Sequence, residues 1–99
     1  MMLKKFAFIV KAPGYSAEKH STELSSEQFS TRIVGVAHLD EAIMMARKLI
    51  DDGVQLIELC GGFSQSDRAA LQDQTNHKIP VGVVMYTPDQ EAELLKLFG

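Results

Sequence analysis

The stretch Val54–Ser64 reads VQLIELCGGFS, an apolar run that ends in two glycines, a phenylalanine and a serine. An apolar run followed by glycines and a helix-capping residue is typical of a buried strand that leads through a turn into a helix. The preceding segment, Leu39–Asp52, repeats apolar residues at helical spacing, with Asp40 as its expected N-cap and Gly53 after its end. This part of the chain therefore predicts helix, strand and helix in succession, as in an α/β fold.

The same alternation extends toward both ends of the sequence. Apolar and β-branched runs predict three further strands, at Phe6–Val10, Phe29–Val36 and Ile79–Tyr86. The last helix is expected to begin at Thr87 as N-cap, with Pro88 at its first position and Gln90 completing a capping box. The polar segment between the first two strands predicts no more than a short helix capped by Ser16.

Strands that alternate with helical connections predict right-handed crossovers and a mostly parallel sheet. We therefore predict a small three-layer α/β/α sandwich with about four strands, in a single domain over residues 1–99. A ferredoxin-like α+β fold is the alternative, and it requires Phe29–Val36 to run antiparallel to Phe6–Val10. Because so small a sheet keeps two free edges, we also expect a homodimer or higher homo-oligomer.

Composition argues against several classes of partner. The chain has 99 residues, 45% of them hydrophobic, and a net charge of -3, so it offers no basic surface for nucleic acid or anionic lipid. Lys11 ends the first apolar run after five residues, short of the roughly 7–15 of a signal peptide, and no run approaches a membrane span. The single cysteine, Cys60, cannot form an internal disulfide, which favours a reducing, cytoplasmic location.

In an open parallel sheet, ligands bind beyond the carboxyl ends of the strands, where helix N-termini point. Glycine allows the left-handed backbone of an anion-binding nest, so the glycine pair after the third strand favours a small polar or anionic metabolite. A tight turn is the structural alternative for the same pair. The ligand-binding residues predicted at this edge are Gly14, Gly61, Gly62, Phe63, Ser64 and Thr87.

Three residues near the same edge are candidates for catalysis. Glu58 lies inside an apolar strand, on the face that alternation assigns to Cys60, and a buried carboxylate must be paired, protonated or open to a cavity. Glu58 as a pocket acid or base, Cys60 as a nucleophile and His38 as an assisting group would make a small isomerase or lyase. The structural alternatives are an ion pair from Glu58 to Arg32, Arg47 or Lys11, a cysteine that only packs, and a histidine in a solvated loop. No residue spacing indicates a metal or cofactor.

Three segments resemble a family of short, uncharacterised prokaryotic proteins classed as a domain of unknown function. The resemblance covers most of residues 3–86, and the LIELCGGF stretch is its most specific part. It implies a small intact domain and directs attention to residues 58–63, without an activity to carry over. The segments that carry it are Phe6–Ile9 with Ala12–Gly14, Gly53–Phe63 and Ile79–Val84.

Overall fold

The computed structural model describes residues 2–99, which form five strands and three helices. The elements follow one another in the order β1 (Lys5–Lys11), β2 (Ser21–Ser25), β3 (Ser30–Val36), α1 (Leu39–Asp51), β4 (Leu56–Leu59), α2 (Gln65–Gln74), β5 (Val81–Val83) and α3 (Pro88–Phe98). The predicted strands and the three long helices are all present, with β5 shorter than the run Ile79–Tyr86 suggested.

The five strands form one sheet in the order β2-β3-β1-β4-β5. Strand β1 lies at the centre and pairs in parallel with both β3 and β4, and β5 adds in parallel to β4. The predicted α/β sandwich with a mostly parallel sheet is therefore confirmed, with helices packed on one face of the sheet rather than on both as the three-layer form requires. The ferredoxin-like alternative is wrong, because β3 runs parallel to β1.

The fifth strand is the element that the sequence did not predict. Strand β2 lies at the edge, antiparallel to β3, and all five of its residues are exposed. Its sequence, STELS, is mostly polar because the strand buries neither face, so the apolar pattern that reveals a strand is missing. The short helix expected after Ser16 is wrong as well, since the carbonyl of Ser16 accepts the amides of Lys19 and His20 in an isolated turn.

One face of the sheet carries the hydrophobic core. Alternate strand residues on this face are completely buried, and α1 and α2 pack over them and against each other. We call it the covered face. Its fully buried strand residues are Ala7, Ile9, Val34, Val36, Ile57 and Leu59, and Ala42, Ala46, Leu49 and Leu71 come from the helices.

No helix packs on the opposite face of the sheet, which we call the open face. The pairing register places Leu24, Ile33, Phe6, Phe8 and Leu56 on it, side by side across four strands. None of these five side chains is buried. Tyr15 crosses the carboxyl end of this face, where a Cβ on Gly35 would stand 2.7 Å from the tyrosine ring.

Helix α3 also lies without a packing partner, because none of its residues is buried. The Leu95 and Phe98 side chains are 69% and 82% exposed. Thr87 is the N-cap and Pro88 opens the helix as predicted, but the Thr87 side chain makes no capping hydrogen bond, so the capping box with Gln90 is wrong. At the start of α1 the N-cap is His38, two residues before the expected Asp40.

Candidate functional site

The carboxyl ends of β1 and β3 and the turn after β4 enclose a hollow of about 540 Å³, which we call the rim hollow. Three of the residues predicted at this edge, Gly14, His38 and Gly62, come together there. Four others predicted with them do not line it: Gly61, Phe63, Ser64 and Thr87. The lining residues are Lys11, Ala12, Pro13, Gly14, Ala37, His38 and Gly62.

One wall of the rim hollow is the turn that follows β1. The amide of Ala12 still donates to the carbonyl of Val36, and the amide of Tyr15 donates back to the carbonyl of Ala12. Gly14 has a φ of 83°, a left-handed conformation that side chains with a Cβ rarely adopt. The glycine therefore makes the sharp turn possible, and its neighbours Ala12 and Pro13 supply an apolar surface to the hollow.

The glycine pair after β4 has a different role from the expected one. Neither Gly61 nor Gly62 has a positive φ, so the backbone does not form the left-handed nest. Close packing explains both residues: a Cβ on Gly61 would stand 2.9 Å from the Tyr86 hydroxyl, and one on Gly62 would stand 3.2 Å from the Lys11 carbonyl oxygen. The alternative of a tight turn describes the pair better.

The N-terminus of α2 is closed by its own side chains. Ser64 is the N-cap, its hydroxyl accepts the amide of Asp67, and Asp67 accepts the amide of Ser64 in return. The Phe63 ring before it is buried in the core. Because the capping box already uses these two amide donors, this helix end offers less to an anion than the sequence suggested.

Lys11 is the residue that sequence reasoning missed at this site. It is the last residue of β1, half-buried, with its ammonium 3.9 Å from an Asp67 carboxylate oxygen and 5.1 Å from the centre of the Phe63 ring. The sequence does contain a signal for Lys11, because it lies directly before the turn at Ala12–Gly14. A polar residue that ends a buried strand lies at the edge of the sheet, where ligands bind.

His38 also lines the rim hollow, exposed, as the N-cap of α1. Its imidazole makes no capping hydrogen bond. Glu41 in the first turn binds backbone outside the helix: its two carboxylate oxygens accept the amides of Ala37 at 3.2 Å and Ala17 at 2.8 Å, and both of these residues precede α1. The ring of His38 is therefore available to donate to, or accept from, a molecule in the hollow.

Cys60 acts as an acceptor for the backbone. Its sulfur lies 3.3 Å from the amide nitrogen of Lys11 and 3.4 Å from that of Gly62, and the side chain packs against the core. These two contacts tie the end of β1 to the turn after β4. The structural alternative for Cys60 thus accounts for its contacts, and no hydrogen bond joins it to Glu58 or His38 within residues 2–99.

Glu58 lies on the open face, half-buried, beside Phe8 of β1 and Gly82 of β5 in the pairing register. Each cation expected to pair with it has another partner. Arg32 contacts Asp52, Arg47 donates to Gln74 and Lys11 faces Asp67, so within residues 2–99 Glu58 has no ion-pair partner. The predicted ion pair is therefore wrong.

Two general features complete the picture of the described residues. No three His, Cys, Asp or Glu side chains within residues 2–99 gather closely enough to hold a metal ion. In the same part of the chain, no helix has the length and apolar character that crossing a bilayer requires.

The mostly parallel sheet and the two helices on its covered face define a small α/β sandwich domain with an open hollow at the carboxyl edge of its sheet. The chain belongs to a family of unknown function, DUF6506, whose model matches residues 4–99. The resemblance to a domain of unknown function is confirmed, and the match includes α3, beyond the residues that carried the resemblance. No curated protein and no solved structure matches the chain.

Proposed function

We propose that this protein binds a small organic anion in the rim hollow and that it does so as a homo-oligomer. The observation that carries the proposal is that Lys11 and His38 both line an apolar hollow of about 540 Å³ at the carboxyl edge of the sheet. Ligands of open α/β sheets bind at this edge, although the fold alone does not choose the ligand.

The chemistry of the lining favours a short carboxylic acid. Ala12, Pro13 and Ala37 supply apolar contact, and Lys11 supplies a full positive charge with three donors. The contact from Lys11 to Asp67 spans 3.9 Å at the protein surface, and such pairs contribute only about 0–1 kcal/mol. An incoming carboxylate can therefore take the place of Asp67 beside the ammonium.

Side chains would be the main donors to the anion, because the amides of the turn after β4 are already used. The Gly62 amide lies near the sulfur of Cys60, and the Ser64 and Asp67 amides belong to the capping box. Lys11 and His38 are the two lining residues whose side chains carry hydrogen-bond donors. This distinguishes the proposed site from a phosphate-binding loop, in which backbone amides surround the ligand.

Thermal unfolding in the presence of acetate, succinate or inorganic phosphate at matched ionic strength tests the proposal. We expect a carboxylate to raise the unfolding midpoint of the native protein, by an amount that grows with the logarithm of its concentration once that exceeds Kd. Lys11→Met removes that rise, whereas Lys48→Met, which removes an exposed lysine from α1, keeps it. No rise with any of the anions, or an equal rise in all three proteins, would refute the proposal.

The catalytic alternative rests on one observation, the half-buried carboxylate of Glu58 without a cation partner. An acid or base of an isomerase or lyase needs such a group in reach of a substrate, and Cys60 and His38 would assist. Alkylation of Cys60 by iodoacetamide at neutral pH tests the nucleophile. A rate about tenfold above that of glutathione supports it, and a slower rate contradicts it.

A further inference from the structure

We infer that α3 packs on the open face of a second copy of this chain, and that the exchange is reciprocal. Each protomer would then give one amphipathic helix and receive one, and the resulting homodimer would carry a helical layer on both faces of each sheet. This inference rests on the homo-oligomeric part of the proposed function and is independent of the anion site.

The first observation is that one chain carries two apolar surfaces without a partner. On α3, Leu94, Leu95 and Phe98 lie on one side at helical spacing, and all three are exposed. On the sheet, Phe6, Phe8 and Ile33 lie at the centre of the open face. An amphipathic helix and an apolar sheet face are the two surfaces that α/β domains normally bury against each other.

The dimensions of the two surfaces agree. The eleven residues of α3 make a helix about 16 Å long at 1.5 Å per residue. The four strands from β2 to β4 span about 14 Å at a strand spacing of about 4.8 Å. One helix is therefore long enough to cross the apolar part of the open face and leave the short strand β5 free.

The surface area of the chain is the second observation. The protein exposes 6631 Å², about 1,000 Å² more than the roughly 5,600 Å² of a compact monomer of its 10.9 kDa mass. Its radius of gyration is 14.0 Å, against about 12.6 Å for a compact chain of this length. The excess matches the roughly 800 Å² that each partner buries in a standard interface.

The connection between β5 and α3 favours a second copy over the helix's own sheet. The ring of Tyr86 lies against Gly61 at the rim, and the sulfur of Met85 accepts a hydrogen bond of 3.0 Å from Gln65 in the first turn of α2. Helix α2 packs on the covered face of the sheet. These contacts therefore place the beginning of α3 near the covered face, away from the open face of the same chain.

Sedimentation velocity over a range of concentrations tests the inference with two matched variants. We expect the native chain to dimerise and Leu95→Asp to be monomeric, with self-association weakened about tenfold or more. Met44→Asp, which places the same charge at an exposed apolar position on α1, keeps the dimer. Leu95 contacts no core residue, so the circular dichroism spectrum of Leu95→Asp should stay native. A monomeric native chain, or a dimer that survives Leu95→Asp, overturns the inference.

Isotope-filtered nuclear Overhauser spectra of mixed labelled and unlabelled protein then locate the helix. Contacts between Leu95 methyls of one chain and the Phe8 ring of another support the exchange, and contacts confined to one chain overturn it. Titrating succinate into Leu95→Asp separates the two proposals. If monomeric Leu95→Asp still binds succinate, the rim site is retained without the dimer. If the native protein dimerises but binds no succinate, the interface is supported and the rim site is refuted.

Discussion

The phenol group of Tyr86 lies so close to Gly61 that a methyl group at residue 61 would stand 2.9 Å from the hydroxyl oxygen. This contact links the rim to the segment from which α3 departs. The glycine pair is thus explained by two neighbours, the Tyr86 ring over Gly61 and the Lys11 backbone over Gly62. The two positions differ in how easily the neighbour can move, and this difference yields the first prediction.

Gly62→Ala should destabilise the protein more than Gly61→Ala. At residue 62 the new methyl group meets a backbone carbonyl of the central strand at 3.2 Å, and relieving it costs about 1–3 kcal/mol. At residue 61 it meets the far end of one exposed side chain, which can turn away. Urea unfolding of both variants measures the difference, and a larger loss of unfolding free energy for Gly61→Ala would contradict this account.

Ser64→Ala should lower the free energy of unfolding by about 1 kcal/mol, because the hydroxyl caps the Asp67 amide at the start of α2. Thr87→Ala is the matched control. Thr87 is also an N-cap, but its side chain makes no capping hydrogen bond to α3. Urea unfolding should therefore show a clearly smaller loss for Thr87→Ala, and equal losses would show that the capping box adds nothing.

Thr87→Ala should raise the pKa of Asp89 toward its ordinary value. A hydrogen bond of 2.6 Å from the Thr87 hydroxyl, with a second from Gln90, lowers the pKa of this exposed carboxyl. A lowered pKa in the folded state means that the stabilisation is present above the unfolded pKa and is lost as pH falls through the folded pKa. Carbon-detected NMR titration of the Asp89 carboxyl checks the shift, and an unchanged titration midpoint in Thr87→Ala would contradict the assigned cause.

Glu58→Gln should strengthen self-association several-fold. Glu58 lies beside Phe8 on the open face without a cation, and covering an ionised carboxylate there costs free energy that an amide largely avoids. Glu23→Gln, an exposed change on β2, serves as the control for the loss of one negative charge. Sedimentation equilibrium compares the three proteins, and weaker association of Glu58→Gln would mean that a partner chain supplies a cation to Glu58.

Hydrophobic periodicity was sufficient to predict the helices, four of the strands and their mostly parallel arrangement. The core positions of β1, β4 and α1 are apolar at the correct spacing, so their patterns reveal both element and face. Strand β2 was not predicted because its five exposed residues show no alternation of apolar and polar side chains. Its pairing with β3 is a tertiary contact that the local sequence does not reveal.

The site was less predictable from the sequence for two physical reasons. The glycines after β4 looked like a nest, yet the same residues are required by the close approach of Tyr86 and Lys11, which come from distant parts of the chain. In the sequence, Lys11 is simply the residue that ends an apolar run, and only the fold brings it to the same hollow as His38. Topology correctly indicated the edge of the sheet, whereas the donors at that edge depend on contacts between segments.

A succinate titration followed by amide chemical shifts tests binding in the rim hollow most directly. We predict saturable shifts for the amides of Gly14, His38 and Gly62, smaller shifts on the outer face of α2, and loss of the saturable response in Lys11→Met. Shifts that grow linearly with concentration, or a saturable response centred on other residues, would contradict anion binding at this site.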